Sequence, residues 1–133
     1  MKTFILLFSF ISMFLIFFYE KMPQKVNFVY DPPPRVMIDC CIIDGKCEHE
    51  EFYLEIIQGN FSALENTRIN FINKSELVAN ESLLITSDDG LIGTIEAKEI
   101  TPNVYEFLIP FCSNEEMNIL IFFKNSKYSV KII

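Results

Sequence analysis

Cys40, Cys41, Cys47 and His49 fall within ten residues of one another, and Cys112 follows far downstream. Thiolates and an imidazole at that density can hold zinc, and a thiolate beside an imidazole can act as a nucleophile. Neither chemistry suits the pattern. Adjacent cysteines are not the usual zinc-ligand spacing, and the single histidine sits in the charged stretch Glu48 to Glu51. Oxidation to disulfides accounts for an even set of four, so no metal and no cofactor is assigned.

Other catalytic patterns are missing from the sequence. His49 is the only imidazole that could serve as a base near neutral pH, and no G-x-S-x-G elbow occurs. Glu48, Glu50 and Glu51 read as a solvated charged edge rather than the paired carboxylates of a hydrolase. Four glycines are too few for a phosphate-cradling loop, and Asp88-Asp89-Gly90 reads as a turn rather than a calcium loop. The chain is therefore expected to be non-enzymatic.

Three asparagines carry a different chemistry. Asn60, Asn73 and Asn80 each stand two residues before a serine, the acceptor pattern for N-glycosylation. They follow a predominantly apolar run from Phe4 to Phe18, with Ser9 and Ser12 inside it, behind Lys2. Its length fits a signal peptide and falls short of the roughly 20 residues of a spanning helix. Phe17, Phe18, Tyr19 and Glu20 lack the small residues that a signal peptidase prefers, so an uncleaved signal anchor is the alternative. Either way the rest of the chain is expected in a secreted, extracellular setting, where cysteines oxidise.

Without Lys2 the chain has 10 basic against 18 acidic residues, a formal charge of −8. That balance disfavours nucleic acid and anionic lipid surfaces, so no nucleic-acid partner is expected, and no membrane unless the leader is retained as an anchor.

These residues must be positioned by a β-rich scaffold. Residues 1–19 form the leader and 20–34 a Pro-rich linker containing Pro32-Pro33-Pro34, whose rings cannot donate to a ladder. Residues 35–133 form one domain, too short for two. Short β-branched and aromatic runs separated by turn residues predict strands over 36–43, 52–57, 68–72, 82–86, 91–97, 104–110, 117–123 and 128–133. The fold class is all-β: a single antiparallel β-sandwich of seven to eight strands. Alternation places Tyr105, Phe107, Ile109 and Phe111 on the dry face with Glu106 on the wet one. Ile119 to Phe123 is apolar on both faces, as in a central strand.

The same alternation bears on the cysteines. Cys40 and Cys41 point to opposite faces of one strand, so they do not pair with each other. Cys112 then joins Cys40 or Cys41, and Cys47 takes the other. Asp39 on the wet face puts Cys41 outside and Cys40 inside. Parity leans toward Cys41 with Cys112.

Ile43-Asp44-Gly45-Lys46-Cys47, then Phe52-Tyr53-Leu54-Glu55-Ile56, Thr86-Ser87-Asp88-Asp89-Gly90, and Pro102 through Phe111-Cys112-Ser113-Asn114 follow one another in the order of landmarks of the nematode transthyretin-like proteins. The ending Ser126-Lys127-Tyr128-Ser129-Val130 is similar to that family's Lys-Tyr-Val close. Cys47 stands where the family has proline, and Phe111 where a His-Asp pair precedes the cysteine. This resemblance implies a prealbumin-like sandwich and a secreted role. Val130-Lys131-Ile132-Ile133 replaces the Tyr-Arg-Gly-Ser motif of the family's ureide-hydrolase relatives, so that activity does not carry over. The run from Val104-Tyr105-Glu106-Phe107 through Met117-Asn118-Ile119-Leu120 to Tyr128-Ser129-Val130 also resembles the final strands of filamin-type and other immunoglobulin-like domains.

Two functions fit: a binding or bridging module with an extracellular protein or cell-surface partner, and a carrier of a small apolar ligand or lipid. The carrier reading rests on the many phenylalanines and on Ile119 to Phe123.

Overall fold

The computed structural model describes residues 26–74, 81–110 and 117–133. Among them no helix occurs, and eleven strands build two packed sheets. In chain order these are β1 (Phe28–Val29), β2 (Val36–Cys40), β3 (Lys46–Glu48), β4 (Phe52–Gln58), β5 (Asn66–Asn73), β6 (Leu83–Ser87), β7 (Thr94–Glu96), β8 (Lys98–Thr101), β9 (Val104–Leu108), β10 (Ile119–Phe123) and β11 (Tyr128–Ile132). One sheet runs β1-β7-β6-β10-β11-β2 and the other β3-β4-β5-β9-β8. The expected β-sandwich is thus present. It has more strands than the seven to eight anticipated, and one pair, β2 with β11, is parallel.

The extra strands are ones that carry little hydrophobic signal. β8 is exposed along its whole length and lies at a sheet edge, so only Ile100 among its four residues is a strand-favouring apolar residue. β3 is a charged pair around Cys47. The run expected over 91–97 is paired only from Thr94, because Gly90 and Gly93 take positive φ and hold 90–93 in a turn. Alanine 97 separates β7 from β8, and the chain changes sheets across that single residue. Phe28 and Val29, inside the segment read as a linker, pair with Ile95 and Thr94.

Alternation builds the core. Ile69 and Phe71 of β5, Tyr105 and Phe107 of β9, and Ile119, Ile121 and Phe123 of β10 face inward and are buried. Rings bridge the two sheets: Phe71 and Tyr105 lie 5.5 and 6.0 Å from Phe123, and Phe52 lies 6.2 Å from Tyr128. The expected wet face of β9 is a different matter, since Glu106 is only 7% exposed. Its carboxylate accepts hydrogen bonds from Nε (3.1 Å) and Nη2 (2.5 Å) of Arg68 on the neighbouring β5. A charge taken from water at that position requires such a partner.

β10 lies between β6 and β11, and all five of its residues are buried, as its unbroken apolar run predicts. Leu120 and Phe122 point away from the core, beside Thr86 and Leu84 of β6, and these four are buried as well. The chain between β1 and β2 runs beside Thr86 on that face. These strands are the opposite edges of one sheet, five inter-strand gaps or roughly 24 Å apart at about 4.8 Å each. Seven residue steps from Val29 to Val36 span about 23 to 25 Å when fully extended, so the connection has to cross nearly straight. The other sheet occupies the inner face. Pro32-Pro33-Pro34 therefore form a strap on the outer one, with Pro33 and Pro34 half-buried.

Candidate functional site

At the Cys40 corner the chain leaves the first sheet for the second, and a two-residue turn makes the exchange. Asp44 and Gly45 have φ of 52° and 76°, as a type I′ hairpin requires, and Ile43 and Lys46 exchange backbone hydrogen bonds of 2.9 and 3.0 Å. That hairpin folds Cys47 back onto Cys40, with Cα atoms 5.9 Å apart and the two sulfurs bonded. Cys40 is buried and Cys41 exposed, as their alternation demands, and Cys41 pairs with no other cysteine among the described residues. Cys112 lies outside the described residues. The bond staples β2 to β3 at this corner.

His49 makes contacts of its own. Its ring stacks on Phe52 at 5.3 Å, and Nδ1 accepts the backbone N–H of Glu51 at 3.2 Å. Of the nearby acidic residues, Glu48 pairs with Lys74 at 3.0 Å. No three metal-ligating side chains come together among the described residues.

The sequons differ in setting. Asn60 is exposed in the β4–β5 connection. Asn73 ends β5, its Oδ1 accepts the hydroxyl of Tyr128 at 3.2 Å, and its Nδ2 is buried. Asn80 lies outside the described residues.

The site that the sequence did not single out is a groove of about 770 Å³ beside the strap. One wall is Phe28 to Pro33, the other the end of β6 and the turn from Asp88 to Gly90 and on to Thr94. Each wall is held by local chemistry. Thr94 Oγ1 donates to the carbonyl of Asp31 at 2.9 Å, which ties the strap to β7, and Thr86 Oγ1 donates to the carbonyl of Gly93 at 2.8 Å. Gly93 has φ of 68°, and the ring of Phe28 lies 3.5 Å from where a Cβ would stand, so the aromatic closes down over a bare backbone.

The turn opposite is fixed by its own carboxylates. Both oxygens of Asp88 accept from Asn118, the backbone N–H at 3.1 Å and Nδ2 at 2.7 Å. The Asn118 side-chain hydrogen bond holds the Asp88 carboxyl below the ordinary carboxylate value. Asp89 Oδ1 accepts the N–H of Leu91 at 3.0 Å. What this frame presents is aromatic surface. Phe28 is 59% exposed and Tyr30 is fully exposed at the mouth of the groove. Tyrosine and phenylalanine bury large areas at little cost in side-chain entropy, so they are favoured at protein interfaces.

A second groove, of about 460 Å³, opens along the seam between the sheets where β7 passes into β8. Val26 and Asn27 line it, and the side chain of Asn27 donates to Glu96 at 2.9 Å.

No known protein family, curated protein or solved structure matches the chain.

Proposed function

We propose that the protein is a secreted, N-glycosylated, non-enzymatic binding module, and that the strap groove is where it meets an extracellular protein or cell-surface partner. The observation that carries this reading is the pair of exposed rings, Phe28 and Tyr30, on a segment tied to the sheet by β1 pairing and by the Thr94 hydrogen bond. The Phe28 ring is seated over Gly93, and a backbone fixed before binding loses little freedom on contact. The Cys40–Cys47 disulfide supports the oxidising compartment.

Strand order supports the immunoglobulin-like alternative over the prealbumin-like one. β4-β5-β9-β8 follow the A-B-E-D order of a constant-type immunoglobulin sandwich, and β6-β10-β11 follow C-F-G. β2 and β3 precede that set, and β1 and β7 extend the C edge. Sandwiches of this type serve many binding roles, and the fold alone selects none of them.

The carrier reading draws less support. Phe52, Phe71, Phe107 and Phe123 fill the space between the sheets, and the two grooves described above are open to solvent. Native mass spectrometry of secreted protein distinguishes the two. A binding module arrives at the mass of the chain and its glycans, whereas a reproducible additional mass that leaves on denaturation would favour the carrier.

A further inference from the structure

Two of the three sequons can be compared atom by atom, and they are not equivalent. Transfer of a glycan forms a bond between asparagine Nδ2 and the anomeric carbon of an oligosaccharide. The bond from that carbon to a polyprenyl diphosphate carrier breaks, the diphosphate leaves, and the amide gives up one proton. The product is a bulky polar group that has to remain in water.

Asn60 meets that requirement. It is exposed, and so is Ser62. Gly59 before it has φ of 81° and packs so closely on β5 that a Cβ would stand 2.9 Å from backbone atoms of Asn66 and Thr67. After it, Phe61 lies 5.9 Å from Phe107 and packs against the core. Between these anchors Asn60 Oδ1 accepts from both the N–H, at 3.2 Å, and the hydroxyl of Ser62. The asparagine and the hydroxyl residue of this sequon are therefore joined in one exposed turn.

Asn73 does not meet it. Tyr128 on the facing sheet donates its hydroxyl to Asn73 Oδ1 at 3.2 Å and lies 3.4 Å from the carbonyl of Glu51. Tyr128 is itself 8% exposed and stacked on Phe52. The Asn73 side chain is thus part of a clasp between the two sheets, and the Nδ2 atom that would carry the sugar is buried in it. A glycan there would force the amide out and separate Tyr128 from its acceptor.

We infer that Asn60 is a glycosylated residue of the folded protein and that Asn73 is a structural asparagine, bare in the native molecule despite its sequon. This rests on the secretory reading above. The test is site-by-site occupancy in full-length protein secreted by a glycosylating host, with glycans released enzymatically in ¹⁸O-water and the labelled aspartates located by peptide mass spectrometry. Label is expected at Asn60 and absent at Asn73, and Asn60→Gln should lower the intact mass by one glycan in protein that still folds. Label at Asn73 in folded protein, or an unlabelled Asn60 beside a labelled Asn80, overturns the inference while leaving secretion intact. Absence of label at all three sequons overturns the secretory reading itself, and the Asn60 assignment with it.

Discussion

Replacing Cys40 and Cys47 together by alanine removes the staple without leaving a thiol, and its effect can be worked from the chain. The two residues are seven apart in sequence, so the bond closes a loop of eight residues. In the loop-entropy expression such a loop is worth about 2.5 kcal/mol at 25 °C. Cys40 is fully buried and Cys47 is 8% exposed, so loss of the packed sulfurs adds to that figure. For a domain of about 100 residues, 1 kcal/mol shifts the melting temperature by about 4 to 8 °C, which gives a fall of at least about 10 °C. Thermal melts followed by circular dichroism, on secreted protein at fixed pH, measure it. A double variant that melts within 2 or 3 °C of the parent refutes the view that the staple fixes the corner between the sheets, and would point to a denatured chain already closed there by the Asp44-Gly45 hairpin.

Two further stability predictions follow from particular contacts. Gly59→Ala should destabilise clearly more than Gly90→Ala in urea unfolding. Both glycines have positive φ, which costs a side chain about 1 to 2 kcal/mol, but a Cβ at Gly59 also strikes β5 backbone at 2.9 Å while Gly90 has open space around it. Arg68→Met should cost about 3 kcal/mol by the same measurement, because it leaves the buried Glu106 carboxylate without its guanidinium. Lys74→Met, at the exposed pair with Glu48, should cost less than about 1 kcal/mol.

Where side-chain pattern and backbone demand coincide, the sequence is a close guide to the fold. Asp44-Gly45 has the turn chemistry of a two-residue hairpin and makes one, and the alternation that separates Cys40 from Cys41 holds in the structure. The doubly apolar run from Ile119 becomes the central strand β10. The groove was not legible because its rings stand where proline dominates the reading. Proline removes ladder donors only at its own position, so Phe28 and Val29 remain free to pair with an edge strand, and two residues leave no periodic signal. Glu106 misleads for a related reason: a charge normally marks the wet face, yet Arg68 on the adjacent strand satisfies it where water is scarce. The clasp between Asn73 and Tyr128 joins residues 55 positions apart, and nothing local in either stretch announces it.

The central claim, that the strap groove binds a partner outside the cell, is tested most directly by titrating purified, glycosylated protein onto intact cells and scoring saturable binding for the parent and for Phe28→Ala/Tyr30→Ala. Both side chains are largely exposed, so the double variant should melt within about 3 °C of the parent. Removing two aromatic anchors at about 1 to 2 kcal/mol each should weaken binding roughly 30-fold or more. Saturable binding that survives the double substitution unchanged, or binding of the parent that never saturates, would contradict the account.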